Sequence, residues 1–499
     1  MAGKMSRIFK RAAVVTGFIA IAGVISLAEP AALAQSTQTV DTRIGKLEFE
    51  LGVPTKATVE KLYDDMDFQR AVQCYLWAIP VVAMEEMRQA EQQNAGAKSD
   101  DIVVYDDYRG KSVILTANAT TPYIFSVINL AERGPVVIDY PAGATAGLVN
   151  DWWDRPVTDL GVPGPDKGQG AKFLLIGPGQ EVPESGGYRV LHSRTLSAWF
   201  GYRILDTDPE KAQALLAGVR IYPYSERDNP PVNRVLRPKS VGELRIGSQP
   251  HGLAYWERLS QALSPEPGED RDRFFMAMLK PLGIEKGKPF QPLERQKKIL
   301  IEAALVGEAM AKAGAFDKRF EGIRYRADAH WDYVVPPWYA VDQDVDSSTQ
   351  FEERTGLFYE AIGISAGAMP KTPGVGQAYF SAYRDKNGHA FDGAKTYRLH
   401  VPPNAPVKLF WSVTLYDIDT RLLIQNKEQI ADRSSNHDLV TNADGSVDLY
   451  FSPSAPKGFD KNWIPTVPGK AWFTYFRLYG PLEAYFNKSW PLPDIEKLQ

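Results

Sequence analysis

The last third of the chain carries the clearest pattern of apolar and polar positions. Apolar side chains recur at every second position in four runs, at residues 397–401, 407–415, 447–451 and 472–478. A period of two predicts β-strands, because successive side chains of a strand point to opposite faces. Turn signals accompany the runs: Asp-Lys-Asn-Gly at 385–388 precedes the first, and Asn-Ala-Asp-Gly at 442–445 separates the second from the third. We expect the last three runs to belong to one sheet system with a buried apolar face, in an antiparallel sandwich or barrel.

The first two thirds of the chain alternate between helical and strand-like patterns. Residues 59–92 have helical spacing, but Pro80 falls inside them and predicts either two helices or a kink. The segment 158–171 is too rich in glycine and proline to predict a regular element. Short strand-like runs lie at 113–115, 123–129, 136–139, 173–176 and 188–192, and helical spacing returns at 252–262, 271–279, 293–313 and 348–362.

A strand across residues 472–479 would divide its side chains into two unlike faces. One face carries Trp, Thr, Phe and Leu, and the other carries Phe473, Tyr475, Arg477 and Tyr479. A solvated face is usually rich in Lys, Glu and Thr, so the second face indicates packing on another domain or a lined cleft. We therefore expect Arg477 and Tyr479 to be buried against the first domain or a cleft beside it.

A buried Arg477 requires a hydrogen-bond acceptor, because an unpaired guanidinium is costly to bury. The sequence offers Asp417, the Asn462 amide and tyrosine hydroxyls, and the oxygens of a bound ligand would serve equally. Two interpretations stay open: Arg477 joins strands through a carboxylate, or it contacts a ligand.

The N-terminus has the three-part pattern of an export signal. Lys4, Arg7, Lys10 and Arg11 form a basic segment, residues 12–27 are largely apolar, and Ala-Leu-Ala at 32–34 provides a cleavage site. The apolar run is shorter than the ~20 residues of a membrane-spanning helix. We predict cleavage after Ala34, a periplasmic or secreted protein, and no stable membrane anchor afterwards.

The amino-acid composition of the chain excludes several classes of partner, metal site and cofactor. The formal net charge of −4 argues against a nucleic-acid partner. The single cysteine, Cys74, excludes an intrachain disulfide and a cysteine zinc site, and its apolar surroundings predict a buried small side chain. The glycine-rich loops that bind nucleotides are absent from the sequence, and no cofactor is predicted. If the chain is an enzyme, a cofactor-free or metal-assisted hydrolase or lyase is favoured over nucleotide-dependent chemistry.

For two motifs that could be catalytic or bind a metal, the sequence favours a purely structural role. The six histidines lack the spacings of known metal sites. Asp385, His389 and Asp392 are more typical of a turn than of a metal site. Metal binding therefore stays open, without a motif that supports it. Residues 363–367 match the G-x-S-x-G nucleophile motif, but that motif requires a preceding strand. Here a helical pattern precedes it, which favours a helix end closed by glycine.

Two sets of short motifs lie in the two halves of the chain. The first comprises Thr116-Ala117-Asn118-Ala119-Thr120-Thr121-Pro122-Tyr123 and Phe173-Leu174-Leu175-Ile176-Gly177-Pro178; the second includes Ala382-Tyr383-Arg384-Asp385, Phe410-Trp411-Ser412-Val413-Thr414-Leu415-Tyr416-Asp417 and Arg477-Leu478-Tyr479-Gly480-Pro481. They resemble two bacterial domain families of unknown function, numbered 1254 and 1214 respectively. The resemblance implies an exported protein with two jelly-roll-like domains. One departure is Asn118-Ala119-Thr120, where the first family has an acid in the middle.

These observations predict a mainly β protein with helical insertions. Two jelly-roll-like antiparallel β-sandwich domains would be joined by a helical region. The predicted boundaries are 1–34 for the signal peptide, 35–235 for the N-terminal domain with its leading helices, 236–370 for the helical connection and 371–499 for the C-terminal sandwich.

The working hypothesis for function is processing of a small molecule or saccharide at an interdomain cleft lined by arginine and aromatic residues. The alternative is a non-catalytic binding or interaction module, secreted or associated with the cell envelope; a homo-oligomer is left open. Weak catalytic candidates are Asp417, Arg477 and Tyr479. The ligand-binding candidates are Asn118, Thr121, Tyr123, Arg203, Trp411, Tyr416, Asn462 and Trp463.

Overall fold

The computed structural model describes residues 37–183, 186–206, 208–239 and 242–498. The predicted export signal lies outside these residues. The chain forms two units, Met1–Asp65 and Met66–Gln499. The described part of the first unit contains an antiparallel sheet of three short strands, β1 (Thr37–Thr42), β2 (Gly45–Glu50) and β3 (Val53–Pro54).

One long helix, α1, spans Lys56–Ala95 and passes through Pro80, where we expected two helices or a kink. A proline inside a helix removes one backbone hydrogen bond. Ile79 and Val81 beside it are fully buried, and this packing offsets the loss. Cys74 is also buried on α1, and burial raises the pKa of its thiol to about 12, which is typical of an unreactive structural cysteine.

Residues 102–236 form two sheets that share one apolar core. Their strand orders are β10-β9-β6-β12 and β13-β4-β5-β11-β7-β8. Side chains of both sheets meet in this core, for example Ile124 from one sheet and Leu175 from the other. The elements are β4 (Ile102–Tyr105), β5 (Tyr123–Asn129), α2 (Leu130–Arg133), β6 (Val136–Tyr140), β7 (Thr145–Asp151), β8 (Pro156–Gly161), β9 (Ala171–Ile176), β10 (Arg189–His192), β11 (Ser197–Ile204), α3 (Pro209–Gly218), β12 (Arg220–Pro223) and β13 (Val235–Leu236).

Two local predictions for this region are wrong. Residues 113–115 are not a strand, because a 3-10 turn over Gly110–Val113 leads into an irregular segment. The expected loop at 158–171 begins inside β8, which pairs with β7 as far as Gly161. Gly161 has a φ of +71°, which ends the strand at a position that favours glycine.

The connecting region contains the four predicted helices, with irregular segments between them. Each of the four expected helices is present with ends shifted by a few residues, and three two-residue strands lie between them. The elements are α4 (Leu253–Leu263), α5 (Arg273–Leu279), α6 (Glu294–Phe316), β14 (Asp332–Tyr333), β15 (Asp344–Val345), β16 (Ser348–Thr349) and α7 (Phe351–Glu360).

The C-terminal region again contains two sheets, ordered β14-β17-β24-β20-β21 and β23-β22-β19-β25. Trp472 of the first sheet packs on Phe451 of the second at 5.1 Å between ring centroids, so the sheets share a core. The elements are β17 (Gln377–Ala382), β18 (Phe391–Asp392), β19 (Tyr397–Val401), β20 (Val407–Asp417), β21 (Asp432–Ser434), β22 (Val447–Ser452), β23 (Trp463–Pro465), β24 (Ala471–Pro481), α8 (Glu483–Phe486) and β25 (Glu496–Lys497).

The predicted strands of this region lie where the sequence placed them, but not all of them belong to the same sheet. β20 and β24 pair directly, whereas β22 lies in the second sheet. The buried face of β20 also begins later than expected. Its pairing register shifts between Val407 and Phe410, which leaves Leu409 63% exposed.

The fold class is mixed. The described residues are 28% helical and 28% strand, in several antiparallel and mixed sheets, so the mainly β and jelly-roll predictions are not confirmed. None of the helices in the described part of the chain has the length and apolar character that a membrane crossing requires.

Candidate functional site

The central strand β24 presents a polar and aromatic face toward the N-terminal region. Arg477 lies directly opposite Tyr379 on β17 and Ser412 on β20, and Tyr475 lies opposite Thr414 on β20. Residues opposite each other in neighbouring strands share a face. The register therefore groups tyrosines, hydroxyls and a guanidinium on one side of the sheet.

A loop from the N-terminal region covers this face. Asn118 shapes the loop: its Oδ1 accepts hydrogen bonds from the backbone N of Thr121 at 2.8 Å and from Thr121 Oγ1 at 3.1 Å. Its Nδ2 donates to the hydroxyl of Tyr123 at 2.6 Å. These bonds hold the segment between Thr116 and Tyr123 in a compact turn ahead of β5.

Side-chain hydrogen bonds join the loop to the sheet. The Tyr416 hydroxyl donates to the backbone carbonyl of Ala117 at 2.8 Å. Arg477 Nη2 donates to the carbonyl of Thr116 at 2.7 Å, and Thr120 Oγ1 donates to Asp432 Oδ2 at 2.9 Å. Arg477 is only 3% exposed, so its predicted burial against the first domain is confirmed. Its Nη2 acceptor is a backbone carbonyl, which the sequence did not indicate; of the acceptors named from the sequence, the tyrosine hydroxyl of Tyr416 also interacts with Arg477.

Arg203 completes the cluster from β11. Its Nη2 donates to Thr121 Oγ1 at 2.8 Å, and its Nη1 approaches Gln377 Oε1 at 3.4 Å. Its guanidinium also lies over the rings of Tyr123 and Tyr479, at 5.4 and 5.8 Å from their centroids. We call the group the seam cluster; its members are Lys111, Asn118, Thr121, Tyr123, Arg203, Gln377, Tyr379, Ser412, Thr414, Tyr416, Asp432, Tyr475, Arg477 and Tyr479.

Lys111 adds a third cation to the seam cluster. It is 3% exposed, and its Nζ donates to the carbonyls of Ala119 and Thr121 at 3.1 and 3.0 Å. Burial lowers the pKa of Lys111 to about 8, against the opposing influence of the Asp432 carboxylate. A sizeable fraction of the amine is therefore neutral at slightly alkaline pH.

Several buried donors of the seam cluster lack a hydrogen-bond partner. These atoms include Nη1 of Arg477, Nε of Arg203 and the hydroxyls of Ser412 and Thr414. Burial also raises the pKa of Tyr416 and Tyr379, so their hydroxyls stay protonated near neutral pH. A buried polar group without a partner costs about 1–3 kcal/mol. Such a set of donors is chemically suited to a bound molecule rich in oxygen acceptors.

The seam cluster is bordered by partly exposed residues on one side. Thr121, Tyr123, Arg203, Gln377 and Tyr379 are half-buried, whereas Ser412 and Thr414 are fully buried. These five residues therefore form the more exposed part of the seam cluster.

The structure brings five of the eight proposed ligand-binding residues together with Arg477 and Tyr479. These five are Asn118, Thr121, Tyr123, Arg203 and Tyr416.

The remaining candidates lie elsewhere. Trp411 is on the opposite face of β20, where it stacks on Phe476 at 5.5 Å. The amide of Asn462 bonds to the backbone of Val440 and Asp448, and Trp463 Nε1 donates to a carbonyl in β22.

The structure does not bring Asp417 to the seam cluster either. Its Oδ1 accepts from the backbone N of Asp419 and Thr420 at 3.0 Å, and its Oδ2 accepts from Lys470 Nζ at 3.1 Å. Although burial raises the pKa of this carboxyl, the bonds from Thr420 and Lys470 outweigh it and hold the pKa below its ordinary value. Asp417 therefore closes a turn at the end of β20, which suits an ionised structural carboxylate.

Sequence reasoning missed Lys111, Gln377, Tyr379 and Asp432. Ser412 and Thr414 had a usable signal, since alternation places them on the same face as Tyr416. Lys111 had no comparable signal, because it lies in a short 3-10 turn without periodicity.

Other sites weighed from the sequence have structural roles. Asp385 Oδ1 accepts from the backbone N of Asn387 and His389, as a turn requires. In the G-x-S-x-G segment, helix α7 precedes the motif and Gly363 has a φ of +81°. Among the described residues, no group of three or more His, Cys, Asp and Glu is placed to hold a metal ion.

Two surface cavities lie away from most of the seam cluster. The larger, of about 320 Å³, is lined by residues such as Ile102, Leu216 and Arg220. The smaller, of about 130 Å³, is lined by residues such as Tyr333, Met369 and Tyr485, and it touches the seam cluster only at Tyr379.

Comparison with solved structures shows similarity in fold. The crystal structure of the VPA0106 protein from Vibrio parahaemolyticus matches with a TM-score of 0.53 and 17% identity, over 87% of this chain and 100% of that chain. An uncharacterized protein from Burkholderia cenocepacia matches with a TM-score of 0.41 and 11% identity, over 88% of this chain and 97% of that chain. A search of curated protein sequences found no match.

Two family models match the regions that supply the seam cluster. Residues 101–223 match the family described as protein of unknown function DUF1254, which includes the 116–123 loop and Arg203. Residues 376–483 match the family described as protein of unknown function DUF1214, which includes β17, β20 and β24. The chain thus matches DUF1254 followed by DUF1214, in the order that its motifs predicted.

Proposed function

We propose that the protein binds a small molecule at the seam cluster. The observation that carries the proposal is the pair of guanidiniums, Arg203 and Arg477, each with a buried N–H that has no hydrogen-bond partner. Leaving such groups unsatisfied is unfavourable, and a bound molecule with oxygen acceptors would satisfy them. The surrounding tyrosine rings would pack against a flat or partly apolar body, such as a sugar ring.

Binding without turnover is the function that the geometry supports best. The unpartnered groups of Arg203, Arg477, Ser412 and Thr414 are guanidinium N–H groups and hydroxyls, and neither is an ordinary general base at neutral pH. In the seam cluster the carboxylate is Asp432, which already accepts a hydrogen bond from Thr120. Processing of the bound molecule is the second candidate. Lys111 supports it, because a lysine with a pKa of about 8 can accept a proton near neutral pH.

Equilibrium dialysis against a small-molecule extract of bacterial culture medium tests the proposal. Mass spectrometry should find at least one compound enriched by the wild-type protein and not by Arg477→Gln. The control is Arg398→Gln, because Arg398 pairs with Glu496 on the second sheet and lies outside the seam cluster. Equal retention by all three proteins, or no enrichment by the wild type, contradicts binding at this site. Conversion of an enriched compound over time separates processing from binding.

We also propose two further properties that the sequence predicts, export and a jelly-roll arrangement. We propose that the chain is exported and cleaved after Ala34, which the basic, apolar and small-residue segments of residues 4–34 support. Intact-mass measurement of exported protein should give a chain beginning at Gln35, and a full-length chain in the membrane fraction contradicts it. We also keep the jelly-roll arrangement as a proposal, supported by the two sheets with a shared core in each matched region.

A further inference from the structure

We infer that the molecule bound at the seam cluster is an organic acid, held through a carboxylate or phosphate group by Arg203 and Arg477. The inference rests on the proposed function and adds the chemical class of the ligand. It is carried by three features of the seam cluster: its charge, its unpartnered donors and its aromatic rings.

The charge of the seam cluster is unbalanced. Arg203 and Arg477 contribute two cations that stay charged at any physiological pH. Lys111, with a pKa of about 8, contributes a third that the carboxylates of Asp432, Asp106 and Asp107 stabilise. The carboxylate of the cluster is Asp432, which hydrogen-bonds to Thr120 rather than to a guanidinium. The hydrogen bonds of Arg203 and Arg477 go to neutral oxygens, such as those of Thr121, Gln377 and Thr116.

The other buried arginines of the described residues are of two kinds: Arg155 is balanced by carboxylates, whereas Arg354 and Arg421 donate to neutral oxygens. Arg155, 2% exposed, donates to the carboxylates of Asp151 at 2.7 Å and Glu269 at 2.9 Å. Burial of an uncompensated charge is strongly unfavourable, and an anion that enters beside Arg203 and Arg477 would relieve it. A neutral ligand would satisfy the N–H groups but leave the charge uncompensated.

The donors and rings indicate an organic anion. Ser412, with its unpartnered hydroxyl, lies directly opposite Arg477 in the sheet register. Arg477 also lies over the rings of Tyr379 and Tyr475, at 5.7 and 5.2 Å from their centroids. Oxyanion oxygens would accept from the guanidinium and the hydroxyl, while the rings would pack against the carbon skeleton.

Matched pairs of acidic and neutral probes test the inference. The pairs are benzoate with benzamide, galacturonate with galactose, and glycerol phosphate with glycerol, and inorganic phosphate serves as an anion without a carbon skeleton. Each is titrated at constant ionic strength while the melting temperature is measured. We expect at least one organic acid to give a saturable rise that its neutral partner and inorganic phosphate do not give. The pair that responds distinguishes a carboxylate from a phosphate group.

Variants assign the effect to the two arginines. Arg203→Gln and Arg477→Gln should each weaken the apparent affinity for the responding acid about tenfold or more, whereas Arg398→Gln should leave it unchanged. Arg203 is half-buried and tolerates substitution better, so Arg203→Gln decides the matter if Arg477→Gln does not fold.

Three outcomes overturn the inference: a neutral probe binds as well as its acid, no organic acid raises the melting temperature, or the Arg203→Gln and Arg398→Gln variants respond alike. The dialysis experiment with wild-type protein tests the proposed function separately, because it detects binding of any compound, acidic or neutral. Enrichment of neutral compounds there supports binding at the seam cluster but rejects the organic acid.

Discussion

The Tyr416 hydroxyl donates a hydrogen bond to the backbone carbonyl of Ala117, 299 residues earlier in the chain. Tyr416 lies in the DUF1214 region and Ala117 in the DUF1254 region. The bond is buried, and Tyr416 is 0% exposed. The two matched regions are therefore joined by hydrogen bonds at the same place where the seam cluster lies.

Removal of this hydroxyl should destabilise the protein. Tyr416→Phe deletes the donor and leaves the buried carbonyl of Ala117 unsatisfied, so we expect a loss of about 1–3 kcal/mol in the free energy of unfolding. Urea denaturation followed by fluorescence measures the loss. Tyr63→Phe is the control, since Tyr63 is 58% exposed. Equal stabilities of the two variants would mean that the bond contributes nothing.

A charge on the apolar face of β20 should be far more damaging than one at its exposed start. Val413 is 0% exposed and Leu409 is 63% exposed on the same strand. Val413→Asp buries an unpaired carboxylate and should cost several kcal/mol, about 3 or more, whereas Leu409→Asp should change stability by roughly 0.5 kcal/mol or less. Thermal unfolding compares the two. An unchanged melting temperature for Val413→Asp would contradict the face assignment.

Stability should depend on pH through Lys111. Because burial lowers the pKa of Lys111 from 10.5 to about 8, the unfolded chain binds more protons than the folded chain between these values. The free energy of unfolding contributed by this group therefore rises with pH across that window, by roughly 2–3 kcal/mol. The stability of wild type minus that of Lys111→Met should grow from pH 8 to pH 10.5 in urea denaturation.

Lys427→Met provides the comparison for this pH dependence, because the Lys427 side chain is 88% exposed. Its difference from wild type should stay flat over the same range. A flat difference for Lys111→Met as well would show that Lys111 titrates normally in the folded protein.

Glu91 should give the opposite dependence at lower pH. Burial raises the pKa of Glu91 from 4.5 to about 7, and Tyr105 donates a hydrogen bond to its Oε1 at 2.7 Å. The contribution of Glu91 to the free energy of unfolding is complete below pH 4.5 and is lost as the pH rises through 7. Glu91→Gln stays neutral and keeps an acceptor for Tyr105, so it should gain stability relative to wild type, by roughly 2–3 kcal/mol at pH 8.

The exposed Glu302 on α6 supplies the matched substitution for Glu91. Melting temperatures of Glu302→Gln and wild type should differ by the same amount at pH 5 and pH 8. If Glu91→Gln behaves in the same way, the pKa of Glu91 is not raised in the folded protein and the prediction is wrong.

Alternation along the strands was enough to assign the two faces of β24. Trp472 and Phe476 pack into the core of the C-terminal sheets, and Tyr475 and Arg477 point to the N-terminal region, as the period of two predicted. The prediction succeeds because the pleat fixes side-chain direction without any knowledge of the neighbouring strand.

Partners across the seam could not be predicted in the same way. Asp417 follows Tyr416 directly, but it belongs to the opposite face and closes a turn with Thr420. Arg477 reaches a backbone carbonyl, and every residue carries one, so residue type gave no indication of the acceptor. Pro80 shows the same limit for helices, because tertiary burial overrides a local preference.

The order of the strands in the larger C-terminal sheet bears on how the chain is made. The strand between β17 and β20 is β24, whose residues 471–481 are among the last to be synthesised. Its two neighbours cannot complete their backbone pairing until it arrives, so the sheet, and with it one side of the seam cluster, assembles only when nearly the whole chain has left the ribosome. Earlier segments must wait with their apolar strand faces uncovered. A chain that stops before residue 471 would lack the central strand of the sheet and, with it, Tyr475, Arg477 and Tyr479 of the seam cluster.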